Sequence, residues 1–105
     1  MTYFAHDRFG NTIHTPTPAQ MEQLLASLSW GGDAGHPEVS LTHATGWCLK
    51  LYPSGLLLLE NVQANKGPWH MRGLSREVVQ EMWHWLANGE LEKLGAAGWL
   101  PGYGA

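Results

Sequence analysis

A chain of 105 residues, 44% hydrophobic and 14% charged, has room for a single domain spanning residues 1–105 and is too apolar to be disordered throughout. Its formal net charge is -3 and its 6 Lys and Arg are scattered singly, which argues against nucleic acid, because phosphate binding needs clustered cations. The single cysteine, Cys48, forms no internal disulfide and fits a reducing compartment.

The N-terminal stretch Met1 to Arg8 has no basic segment leading into an apolar one, so no secretory leader is expected there. Leu56 to Leu59 falls far short of the ~20 apolar residues that span a bilayer. The expected setting is therefore the cytoplasm, with no membrane partner.

Thr2 to His14 reads as one or two short strands turning at Gly10-Asn11. Thr15-Pro16-Thr17-Pro18 then prepares a helix: Thr17 suits the N-cap, Pro18 the first helical position, and Gln20 completes a capping box. Met21, Leu24, Leu25 and Leu28 recur at helical spacing, and Gly31-Gly32 ends the run. Gly31 to Pro37 is a loop.

Three strands follow, joined by tight turns. Glu38 to His43 alternates polar and apolar, Ala44-Thr45-Gly46 interrupts, Trp47 to Tyr52 resumes, and Pro53-Ser54-Gly55 turns into Leu56 to Glu60. Val39, Leu41, Trp47, Leu49 and Leu51 fall on one face, leaving Glu38, Ser40, Thr42, Cys48, Lys50 and Tyr52 on the other. The leucine run is apolar on both sides, so its strand is central or its second face is covered. Pro68 to Arg72 reads as a fourth strand, with Pro68 suited to its start or to an edge.

A second helix starts at Ser75, with Leu74 and Val79 placed for a hydrophobic staple. Val78, Val79, Met82, Trp83 and Leu86 share a face, and Asn88-Gly89 stops it. Glu90 to Leu94 adds a helical turn, and the tail motif Trp99 to Tyr103 folds back on the sheet with Trp99 and Tyr103 as pins. The expected fold is α+β: an antiparallel meander sheet of four to six strands with two main helices packed against it.

No catalytic constellation emerges. The 6 histidines show no H-E-x-x-H or i, i+4 pairing, and no second cysteine completes a zinc site, so no metal or cofactor is expected. Cys48 as a nucleophile needs a base such as His43 or His70 across the sheet, whereas a lone strand cysteine ordinarily packs. Glu38, Glu60 and Asp33 offer carboxylates, as any domain does. Gly31 to Gly35 follows a helix instead of leading a strand into one, so it is not a phosphate loop.

The 6 tryptophans are numerous for this length. Trp47 and Trp83 fit the core, while Trp30, Trp69, Trp85 and Trp99 either seal its rim or anchor a partner.

Pro16-Thr17-Pro18-Ala19-Gln20 opening a helix, Gly31-Gly32-Asp33, Pro37 to Leu41 and the Gly46-Trp47 hairpin resemble the first family of bacterial polymorphic-toxin immunity proteins. The resemblance covers roughly the first 60 residues. The C-terminal Met82 to Leu86 segment and the Pro101-Gly102-Tyr103 ending depart from it. It implies a non-enzymatic cytoplasmic antidote that binds a cognate protein toxin and occludes its active site. The candidate partner-binding residues are Trp30, Asp33, His36, Lys50, Tyr52, Glu60 and Trp69, set on the polar sheet face and nearby loops. The alternatives are a general protein-interaction module or assembly subunit, and a small Cys/His-dependent hydrolase.

Overall fold

The computed structural model describes residues 3–7, 11–27, 38–52, 55–61 and 63–102. These form strands β1 (Tyr3–His6) and β2 (Thr12–His14), helix α1 (Pro18–Ser27), and strands β3 (Val39–His43), β4 (Trp47–Leu51), β5 (Leu57–Asn61) and β6 (Lys66–Met71). Helices α2 (Arg76–Ala87) and α3 (Leu91–Gly95) follow, then strand β7 (Leu100–Pro101). The fold is α+β. A single antiparallel sheet has the order β2-β1-β3-β4-β5-β6-β7, and its middle, β3 to β6, is a meander.

The register assigns side chains to faces, because alternate residues of a strand point to opposite sides. One row joins Ile13, Ala5, Leu41, Leu49, Leu59 and Trp69. Another joins Val39, Leu51, Leu57 and Met71. These rows meet Met21, Leu24 and Leu25 of α1, Val79, Met82, Trp83 and Leu86 of α2, and Leu94 of α3 in one core. The opposite face carries Phe4, Thr42, Cys48 and Glu60 in one row and His6, Ser40, Lys50, Leu58 and His70 in the next. The centre of that second face is also withdrawn from solvent, since Leu58, Ser40 and Glu60 are 2%, 7% and 9% exposed. β5 is therefore buried on both sides, as its unbroken leucine run anticipates.

Local chemistry sets the helix starts. Thr17 and Gln20 form the reciprocal capping box: the Thr17 N–H donates to Gln20 Oε1 at 2.9 Å and the Gln20 N–H to Thr17 Oγ1 at 3.2 Å. At α2 the Val78 N–H donates to Ser75 Oγ at 3.3 Å. Asn88 is the C-cap of α2, its N–H bonded to the His84 carbonyl at 3.0 Å.

Three details differ from the sequence reading. Val78 is 41% exposed instead of sharing the buried stripe. At 100° per residue it lies roughly a quarter-turn from the centre of the Val79, Met82, Trp83, Leu86 stripe. The strands number seven, one above the expected range, because the tail supplies the two-residue β7 beside Trp69 and His70. Pro68 lies within β6, and its carbonyl accepts from the Gly102 N–H at 2.9 Å, which ties the tail to the sheet. Leu28, the Gly31-Gly32 stop and Tyr103 lie outside the described residues.

Candidate functional site

The seven candidate residues divide into three groups. Trp30, Asp33 and His36 lie outside the described residues. Lys50 and Glu60 share the face of the sheet opposite the described helices, where Lys50 Nζ meets Glu60 Oε1 at 2.9 Å. Trp69 is not in a loop: it stands in β6, in register with Leu59, on the helix side of the sheet.

The Lys50–Glu60 pair is internal. The side chains are 33% and 11% exposed, and the hydrogen bond to Glu60 raises the Lys50 ammonium pKa above its ordinary 10.5, against the opposing effect of burial. A pair so committed has little left for a partner's charge. Tyr52 follows β4 and is half-buried; its backbone N–H donates to the Leu56 carbonyl at 2.9 Å and its carbonyl accepts from the Gly55 N–H at 2.9 Å.

Cys48 sits between Thr42 and Glu60 in the sheet. Burial raises its thiol pKa above 9.0, more than the Thr42 hydrogen bond and the Lys50 charge lower it; Thr42 Oγ1 donates to Cys48 Sγ at 3.3 Å. Of the two bases considered, His43 lies on the opposite face, in register beside Tyr3. His70 shares the face of Cys48 but stands two strands away and two residues along, about 12 Å at a strand spacing of ~4.8 Å and a rise of ~3.4 Å per residue. Its Nδ1–H donates to the Gly102 carbonyl at 3.0 Å, so the ring holds the tail in place. Among the described residues no group of three or more His, Cys, Asp or Glu is arranged to hold a metal ion.

The feature with the character of a recognition site lies at the Trp47 and Trp69 end of the sheet. Trp47 of β4 and Trp69 of β6 flank β5 on the helix side and stack, with centroids 6.0 Å apart and planes at 28°. The β5–β6 register shifts between Leu59 and Asn61, a local irregularity beside these rings. Trp99, arriving from α3, forms a third wall, and its Nε1–H donates to the Leu94 carbonyl at 2.7 Å, which fixes the indole. These three rings, Leu59, Ala96 and the backbone at Gly95 and Gly98 line a partly open recess of about 490 Å³, and among the described residues no charged side chain enters its walls.

Sequence reading placed Trp47 in the core and Trp99 as a tail pin, and both also line this recess. The signal was present in the alternation, which puts Trp47, Leu59 and Trp69 on one face of three consecutive strands. The approach of α3 and its following turn, which closes the recess, has no comparable signature. Comparison with protein-family models, curated proteins and solved structures finds no match for this chain.

Proposed function

We propose that this protein is a non-catalytic binding domain of the immunity type, which neutralises a cognate protein toxin in the bacterial cytoplasm by covering its active site. The observation that carries this reading is the convergence of Trp47, Trp69 and Trp99 from three separate elements on one partly open recess. Tryptophan gives large contact area at low entropic cost and dominates interface hot spots, which sit in well-packed pockets from which water is excluded. A cluster of two or three apolar side chains of the toxin, aromatic or branched aliphatic, is the right size to occupy such a recess, and a surrounding footprint of about 800 Å² per partner completes a stable interface. The raised thiol pKa of Cys48, and the distance from it to His70, favour binding over nucleophilic chemistry.

The test is to sequence the flanking genes for one that encodes a toxic domain and to co-express that domain with this protein. Growth should be rescued, and the purified pair should form a stable complex. Trp69→Ala should weaken that complex at least tenfold in Kd while circular dichroism shows the fold retained. Absence of both rescue and complex refutes the reading. Full affinity in folded Trp69→Ala and Trp99→Ala variants refutes the recess as the docking point.

A further inference from the structure

The turn that leads into Trp47 is pinned by a histidine whose Nδ1 accepts from a backbone amide. His43 ends β3 on the helix side and is 1% exposed. The Gly46 N–H donates to its carbonyl at 2.8 Å and closes the turn. The Thr45 backbone N–H donates to His43 Nδ1 at 3.2 Å, and Thr45 Oγ1 lies 2.8 Å from the same nitrogen. A backbone N–H can only donate, so Nδ1 carries the lone pair and the neutral ring keeps its one proton on Nε2. Nε2 is buried without a hydrogen-bond partner among the described residues.

A proton added at Nδ1 would face the Thr45 N–H donor to donor. The Thr45 hydroxyl can rotate to accept, but the amide cannot, so the turn has to give. Two neighbours depend on it: Asn61 Nδ2 donates to the Thr45 carbonyl at 3.1 Å, and Trp47 follows Gly46 directly into β4.

We propose that His43 is an acid-operated latch, in which protonation at Nδ1 expels the Thr45 N–H, opens the His43–Gly46 turn and loosens Trp47 together with the recess it lines. Among the described residues, none that face the ring is a carboxylate placed to compensate the imidazolium. Across the strand on β1 stands Tyr3, whose hydroxyl donates to the Pro16 carbonyl at 3.4 Å. β4 offers Trp47 on this face, while Lys50 and Glu60 lie on the other. From α2 the buried side chains are Val79, Met82, Trp83, Leu86 and Ala87; Trp83 Nε1 and His84 Nε2 are its buried ring nitrogens, and Arg76, Glu77 and Glu81 are exposed. Burial lowers the His43 pKa below 6.5.

The sign follows from linkage. The unfolded chain binds this proton near pH 6.5 and the folded chain only at lower pH, so the contribution of neutral His43 is complete above 6.5. It is lost as pH falls from 6.5 toward the folded pKa. The latch goes beyond the binding reading and stands without it: a folded, closed recess at neutral pH and a loosened one in acid.

Urea unfolding of the full chain between pH 8 and 5, followed by tryptophan fluorescence, tests this on the unaltered protein and on His43→Asn. The asparagine Oδ1 sits near the place of Nδ1, accepts from the Thr45 N–H and does not titrate. The unfolding constant of the unaltered protein, divided by that of the variant, should rise approaching tenfold per pH unit below about 6.5. A ratio flat across that range overturns the latch. Nuclear magnetic resonance of the unaltered protein decides independently of the variant. The Thr45 amide should shift and lose exchange protection in step with His43 protonation, and the Trp47 indole should follow. A Thr45 amide that stays protected while His43 takes up its proton overturns it.

Discussion

Gly46→Ala is expected to be among the most damaging single-methyl additions in this protein. Gly46 has φ +95°, a region where a Cβ is strained, at a cost of about 1–3 kcal/mol. A Cβ built there would lie 2.6 Å from Asn61 Oδ1, too close to keep. The amide cannot swing aside freely. Asn61 is 3% exposed, its Nδ2 donates to the Thr45 carbonyl at 3.1 Å, and its Oδ1 accepts from the Ala64 N–H at 3.0 Å. Displacing it forfeits both bonds, at about 1 kcal/mol each. The sum is about 4 kcal/mol, a large share of the 5–15 kcal/mol typical of a domain, and corresponds to a fall in Tm of roughly 15–25 °C.

Urea unfolding followed by fluorescence should show the midpoint falling with an unchanged slope. Asn61→Ala alone should cost about 2 kcal/mol. The double variant should cost less than the two singles added, by about 1–2 kcal/mol, because the new methyl then occupies space the amide vacated. A Gly46→Ala loss under about 1 kcal/mol, or strict additivity in the cycle, refutes the reasoning.

Two further outcomes are expected. Lys50→Met strands the Glu60 carboxylate, which is 9% exposed, and should cost about 2–3 kcal/mol at pH 7 by urea unfolding, whereas Lys50→Met with Glu60→Leu should recover most of it; a double variant no better than the single contradicts this. Cys48, its thiol pKa raised chiefly by burial, should react with iodoacetamide at pH 7.5 several-fold more slowly than free cysteine and speed up in urea, while Cys48→Ala leaves any toxin neutralisation intact. An equal or faster native rate, or loss of neutralisation in a folded Cys48→Ala protein, counts against both the environment and the binding reading.

What could be read in the sequence was local. The Thr17/Gln20 box, the Ser75 cap and the alternation from Val39 to Leu51 depend on residues within a few positions of each other, and each appears in the structure with its expected partners. The fold-back of the tail was also legible, since Pro101-Gly102 leaves a short segment few alternatives, although its pairing with Trp69 and His70 required the three-dimensional register. Tertiary placement was harder. Trp69 reads as part of a strand but close to its start, as a rim or partner residue, and only pairing with Leu59 shows that it lies on the helix side. Val78 carries an apolar side chain at the margin of a stripe whose width is fixed by how α2 lies on β3, and no local pattern encodes that. The polar sheet face looked open in one dimension, but Ser40, Leu58 and Glu60 are all shielded.

The two-residue β7 has a consequence for association between molecules. Leu100–Pro101 forms the outermost strand on its side of the sheet, and the residue opposite Trp69 is Pro101. Proline has no amide hydrogen to offer a neighbour, and a rung of two residues is too short to template another chain. The tail thus acts as a terminator: it ends the ladder where a bare β6 would invite strangers to add themselves, and it leaves the indole-lined hollow beside it as the more inviting way for another protein to approach from that side.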